Sequence, residues 1–394
     1  MTSPFDCTAI LGVGASSFER DPERSVLQMA GDALRGALRD ADLEPAALDG
    51  LIVQVGSPRG ADYDTVAETF GLSPQFCSQT WAHGRFTATV ILQAAMAVSS
   101  GLARRVACLM AMKNSDLGRL GEADNPFHHE QFRENGGPHG EEGWIGMASP
   151  VAGAAMAFDY YCRRYDQDRE ALAAIPIAFR AHAARNPDAV HRTPLNLADY
   201  QASRAIVEPL RLFDCSPVGD GAVCLIVGRL ADASAAGRPG VVLTGGQGLQ
   251  GGRERFIFGP CGLGLNQQSG ERPTLAAARA QTIWRTAGTA PEAIQTLGVY
   301  DSFSPLPIYA LEDFGFCAAG EGLDFVQDGR LGLGGVLPTN TAGGQLSEAQ
   351  LNGWGQLREL VRQLRGEAGP RQVPEARRAM WIGVGGDALV FERG

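Results

Sequence analysis

A chain of 394 residues with 44% apolar composition is long enough to bury a large core and form two domains of ordinary size, which excludes disordered and fibrous classes. A formal charge of −10 argues against a general nucleic-acid or anionic-membrane surface, because phosphate polymers bind through dense cation patches. No apolar run reaches the roughly 18 residues that span a bilayer, and the start MTSPFDCTAI shows neither a basic leader nor a cleavage site, so a soluble, cytoplasmic protein is expected.

In chain order, apolar periodicity predicts strands at Ala9–Val13 and Gly50–Val55, separated by an amphipathic helix at Ser25–Ala41. The stretch WAHGRFTATVILQAAMAVSSG, residues 81–101, then runs through a His-Gly-Arg turn into a small-residue helix at Ala88–Ser100. A helix start of this kind offers free N–H groups and a positive dipole end, the setting for a nucleophile or an oxyanion, yet the turn holds Gly84, which has nothing to attack with. Further strands are predicted at Val106–Met112, Ala222–Val227, Gly240–Gly245, Gln295–Tyr300, Met380–Val384 and Ala388–Glu392. Such β and α alternation points to a layered α/β architecture.

The two halves resemble each other. RDADLEPAALDGLIV from Arg39 superimposes on RTAGTAPEAIQTLGV from Arg285, pairing Ala41 with Ala287, Pro45 with Pro291 and Ala47 with Ala293. A duplication at that separation implies two similar domains rather than a solenoid. They are expected at 1–235 and 236–394, joined through ADASAAGRPG at 231–240. Between about 114 and 205 the pattern breaks into a long insertion whose Trp144, Met147 and Met156 are expected to cover a ligand.

Residue counts narrow the chemistry. The eight cysteines have no CxxC spacing, so neither a disulfide framework nor a zinc site is expected. A Schiff base would need Lys113, the chain's lone lysine, and a metal would need a set such as His128, His129, Glu130 and His139, which reads as a solvated loop. GVGASS near residue 12 and LTGGQGLQGG lack the full nucleotide-binding spacing and read as tight turns.

Four segments, MASPVAGAAMAFDYYCRRY, NLADYQASRAIVEPLRLFDCSPVGDGAVCLIV, YDSFSPLPIYALEDFGFC and GGVLPTNTAGGQLSEA, together resemble the thiolase-like superfamily. The likeness is to its sterol-carrier-protein type, and within that to the cysteine-less acyl-CoA aldolases of steroid side-chain degradation. It implies a thiolase-like fold: two similar βαβαβαββ domains in an αβαβα stack, with an inserted loop domain.

Thiolase chemistry does not carry over. The nucleophilic Cys position holds Gly84, a catalytic His position holds Tyr300, a second His falls near Gln350, and the C-terminal Cys falls near Gly383 in GVGGDA. Without a thiolate no acyl-enzyme forms. The resemblance implies instead an aldolase or retro-aldolase acting on a bulky β-hydroxyacyl-CoA. Tyr300 would be the acid/base assisted by Asp301, with His83 as another titrating group at the elbow. N–H groups of Gly84, Gly385 and Gly386 would hold the thioester oxygen, and Arg253 and Arg255 would meet the CoA phosphates. In the aldolases a second tyrosine falls where this chain has Gln350. No cofactor is implied beyond the CoA of the substrate. The implied partners are a second copy of the chain and a separate zinc-ribbon/OB-fold acyl-CoA-binding protein. A non-catalytic acyl-CoA-binding or scaffolding subunit and a biosynthetic condensing enzyme remain the alternatives, and Gly84 and Tyr300 also admit purely packing roles.

Overall fold

The computed structural model describes residues 4–5, 7–18, 23–56, 61–81, 84–117, 150–233, 239–249 and 280–394. Its framework is a nine-stranded mixed sheet in the order β3-β2-β4-β7-β1-β8-β11-β10-β9. The strands are β1 (Thr8–Ala15), β2 (Gly50–Val55), β3 (Phe76–Gln79), β4 (Arg105–Lys113), β7 (Asp220–Arg229), β8 (Val241–Gln247), β9 (Thr296–Val299), β10 (Arg378–Ile382) and β11 (Ala388–Arg393). A separate ribbon pairs β5 (Ala205–Val207) with β6 (Leu210–Arg211).

The duplication is visible in this order. Strands up to residue 229 occupy one side and strands from 241 the other, and they meet where β1 and β8 pair through Ala9–Val242 and Ile10–Val241. The helix α1 (Val26–Ala41) and the short Pro-started turn Pro45–Ala47 lead into β2; α6 (Ala280–Ala287) and the turn Pro291–Ala293 lead into β9. Both helices lie close on a strand through glycine. A Cβ at Gly14 would overlap the α1 backbone, and one at Gly245 would stand 2.8 Å from the Cα of Ala287. Gly14 was expected in a tight turn and Gly245 where a predicted strand runs into one. They lie inside β1 and β8, where they bring helix and sheet together.

Strand side chains alternate between two faces, and the alternation defines the layers. Val106, Cys108 and Met110 of β4 face a central core with α3 (Thr87–Ser100) and α9 (Trp354–Arg365), whereas Ala107, Leu109 and Ala111 face α1. In the second half Ala379 and Trp381 of β10 join the same central core, and Met380 and Ile382 face the opposite outer layer. Helices α3 and α9 are therefore enclosed between the halves, and the stack is αβαβα. Residues 150–183, within the long insertion, form α4 (Pro150–Tyr165) and α5 (Ala174–Ala183) and pack on the second half beside α7 (Pro305–Asp313). Met156, expected to cover a ligand, is 45% exposed; Trp144 and Met147 lie outside the described residues.

Candidate active site

The elbow at Gly84 opens a short 3-10 turn, Gly84–Phe86, that leads directly into α3. The first residue of α3, Thr87, is fully buried and donates its hydroxyl to the carbonyl of Asn352 at 2.7 Å, tying the helix start to the segment just before α9. The chain entering the elbow is held from the other side. Gln54 donates to Thr80 Oγ1 at 2.8 Å and to the Trp81 carbonyl at 3.1 Å, while its own oxygen accepts Trp354 Nε1–H at 2.9 Å. Every partner in this set is side chain or turn backbone, so the helix start is fixed by tertiary bonds from both halves.

Tyr300 follows β9 directly, and its N–H donates to the Ile382 carbonyl at 2.9 Å, which extends the β9–β10 pairing by one residue. The ring lies on the elbow. A Cβ added to Gly84 would overlap the Tyr300 ring edge and stand 2.6 Å from Cζ. The space in which a side chain at position 84 would project is thus filled by the phenol, and Tyr300 is 7% exposed. A nucleophilic side chain at 84 and a tyrosine at 300 exclude each other by volume.

Asp301 is fully buried and turns its carboxylate into the start of α8 (Gly344–Ser347). Oδ1 accepts the Gln345 N–H at 2.8 Å and the Gln356 amide at 2.6 Å, and Oδ2 accepts the Leu346 N–H at 3.4 Å. Burial pushes its carboxyl up to about 7, against the lowering effect of those N–H groups. Beside it Asn340, in a left-handed conformation at φ 51°, closes both hydrogen bonds of Val299: its Oδ1 accepts the N–H at 2.8 Å and its Nδ2 donates to the C=O at 2.9 Å. Asp301 and Asn340 therefore hold the end of β9, and with it the segment bearing Tyr300.

The third strand end carries the turn 383–387 between β10 and β11. Gly385 was expected to offer its N–H to a thioester oxygen; it donates instead to Asp387 Oδ1 at 3.1 Å. Asp387 is fully buried, and burial pushes its carboxyl up to about 7 despite the nearby amides of Gly385 and Ala88. Gly386, at φ 76°, lies in the same turn. Gln350, where the second tyrosine is absent, follows Ala349, and its backbone carbonyl faces the Asn114 amide at 3.5 Å.

The structure thus brings Gly84, Tyr300 and, through the β9–β10 pairing, the 383–387 turn to one end of α3. His83, Arg253, Arg255, His128, His129, Glu130 and His139 lie outside the described residues. Among the described residues no cluster of three or more His, Cys, Asp or Glu could hold a metal. Sequence reasoning missed Asp387 and Asn340. The signal for Asp387 was a lone carboxylate inside a glycine turn between two apolar strands; Asn340 gave none, because its conformation is invisible in the residue string.

Comparison with known proteins decides the family. The family described as Thiolase C-terminal domain-like matches residues 266–389. A 17-hydroxy-3-oxo-4-pregnene-20-carboxyl-CoA lyase of Mycobacterium tuberculosis is 34% identical over 370 residues, 91% of each chain. A steroid side-chain-cleaving aldolase of Thermomonospora curvata is 33% identical over 365 residues, 91% of this chain and 90% of that one. The chain belongs to the thiolase-like aldolase family. The solved Ltp2-ChsH2(DUF35) aldolase superimposes on this aldolase with a TM-score of 0.85 and 31% identity, over 98% of both chains. The aldolase is a carbon–carbon lyase.

Proposed function

We propose that this aldolase breaks the bond between the α- and β-carbons of a β-hydroxyacyl-CoA whose β-carbon sits in a bulky steroid-type ring, giving a ring ketone and a shortened acyl-CoA. The observation that carries the reading is the Tyr300 ring seated on Gly84 at the start of α3. A phenol stands where a nucleophile would project, so the position serves proton transfer instead of attack. The names of the two curated relatives support the substrate class.

In this reading Tyr300 removes the proton of the β-hydroxyl group. As the carbon–carbon bond breaks, its electron pair moves into the thioester, whose oxygen is met by the N–H groups of Gly84 and Gly386; each such donor contributes roughly 3 kcal/mol. Asp301 touches no reacting atom in this scheme and acts as a positioning residue through α8. The CoA phosphates are assigned to Arg253 and Arg255, and His83 to the elbow, on sequence position alone. A cytoplasmic location is part of the same proposal; among the described residues no helix is long and apolar enough to cross a membrane.

Two assembly states belong to the proposal. A DUF35 partner is supported by the name of the solved relative complex, and its zinc-ribbon/OB-fold character rests on the family resemblance alone. A homodimer is supported by β3, which ends the sheet, and by Met96, 52% exposed on the neighbouring α3. Sedimentation of the isolated chain at micromolar concentration checks the second.

The activity test uses 17-hydroxy-3-oxo-4-pregnene-20-carboxyl-CoA, with a DUF35 partner added, and follows release of the 17-ketone and propanoyl-CoA. Tyr300→Phe should fold normally and lose about 10²-fold or more in kcat, with KM little changed. Full turnover in that variant overturns the role of Tyr300, and no cleavage by the parent overturns the reading.

A further inference from the structure

Cleavage of a β-hydroxyacyl thioester moves a proton from the hydroxyl oxygen to the α-carbon. Tyr300 serves the first end of that transfer, and Gln350 cannot serve the second, because an amide neither gives nor takes a proton at neutral pH. We propose that Asp387 is the second proton carrier of the site, accepting the proton that Tyr300 passes on and delivering it to the α-carbon. The proposal rests on the retro-aldol reading above.

Geometry supports it in three ways. The Asp387 carboxylate occupies the space into which a side chain at Gly383 would project; both carboxylate oxygens would overlap a Cβ there. The C-terminal cysteine of the thiolase pattern falls near position 383, so a titratable group stands in this region although residue 383 itself is glycine. Backbone pairing then places this turn beside Tyr300. Tyr300 N–H donates to Ile382 O at 2.9 Å, and Gly383 N–H donates to Asp387 O at 2.8 Å. Finally, the two carboxylate oxygens differ. Oδ1 accepts Gly385 N–H, while Oδ2 is fully buried and has no hydrogen bond of good geometry among the described residues, the Ala88 amide standing as the carboxylate's other near donor.

A buried carboxylate oxygen with no well-formed hydrogen bond among the described residues costs stability. The nearby amide of Ala88, in the first turn of α3, shows that this carboxylate lies at the same helix start as Gly84. Burial also brings its titration close to neutrality, which suits a group that must both take and release a proton.

The step balances without a co-reactant. The β-hydroxyl proton moves to the Tyr300 oxygen as the Tyr300 proton moves to Asp387 Oδ2, directly or over one water. The bond between α- and β-carbons breaks, the β-carbon becomes a ketone, and the electron pair forms the thioester enolate. Asp387 then gives its proton to the α-carbon. Tyrosine and carboxylate end as they began.

The half-reaction isolates Asp387. Propanoyl-CoA in deuterated water has an α-carbon but no β-hydroxyl group, so its enolisation requires the carboxylate and not the phenol. The parent enzyme, with its DUF35 partner and the ring ketone present, should exchange the α-protons, read by mass spectrometry. Tyr300→Phe should keep this exchange while cleavage falls. Asp387→Asn, which keeps an acceptor for Gly385 N–H, should lose exchange and cleavage about 10²-fold or more with propanoyl-CoA affinity unchanged. Gly383→Ala pushes the carboxylate from its bed without removing it, and should also lose exchange. Either of these two variants that folds decides the matter. Persistent exchange in it, or no exchange in a parent that cleaves, overturns the proposal. A parent that does not cleave overturns the retro-aldol reading itself.

Discussion

At position 84 a single hydrogen atom stands in place of a side chain, and the proposed chemistry of the elbow turns on it. The Tyr300 ring lies where a Cβ would be, so even Gly84→Ala forces ring or helix to move. Overpacking of this kind costs about 1–3 kcal/mol. Chemical denaturation should show that loss for Gly84→Ala in the parent and little of it in a Tyr300→Ala background, where the space is open. Equal losses in both backgrounds would show that the ring is not the obstacle. The vacancy at 84 and the tyrosine at 300 were each legible in the residue string, and so was the absence of a thiolate. Their contact was not, because 84 and 300 are joined only by folding. For the same reason Gly385 looked like a free donor until the side chain of Asp387, two residues on, was seen to take its N–H.

Elements hold these residues in register, and the ends of the elements were the least readable part. Most of the predicted strands appear close to their expected limits, because apolar runs bounded by polar residues mark both. Strand β3 and helix α9 escaped notice. The first is a short edge with half-exposed alternation. The second reads WGQLRELVRQLR, a charged surface helix by composition, yet Arg358, Glu359, Gln363 and Arg365 are all buried. Their partners come from afar: Glu359 accepts from Arg371 at 3.0 Å, and Arg365 reaches Asp40 at 2.6 Å. The end of β9 depends on Asn340, whose side chain replaces a strand partner for Val299. Asn340→Ala leaves the buried Val299 N–H unpaired and its C=O with only the Gln356 amide at 3.3 Å, a loss of about 1–3 kcal/mol. The variant should unfold at lower denaturant and lose activity through misplacement of Tyr300. Unchanged stability would mean water restores the bond to the Val299 N–H.

Over the whole molecule, buried titratable groups set the pH at which the fold is firmest. Burial pushes Asp301, Glu348 and Asp387 up to about 7, so each favours the folded state while protonated and loses that contribution as pH rises through about 7. His182, pushed down to about 4 by burial, and His191, lowered for the same reason, act oppositely: their contribution is present above their ordinary value and is lost as pH falls. Between about pH 4 and 6.5 the two sets oppose each other, and above about 6.5 only the carboxyls among these groups still titrate. The melting temperature should therefore fall from about pH 6.5 to 8, and Glu348→Gln should make that slope shallower. A rising melting temperature over that range would contradict these burials.

The seam between β1 and β8 joins the halves of the sheet through two residue pairs, while the elbow comes from one side of that seam and Tyr300 and Asp387 from the other. Neither half holds the whole proposed site. The enzyme is thus a reporter of its own assembly: if the chain is cut between 233 and 239 and the two pieces are produced together, catalysis measures their reunion. Activity should rise with the square of fragment concentration at dilution and saturate once the α3–α9 core closes. Each fragment alone, however well folded, should be inert.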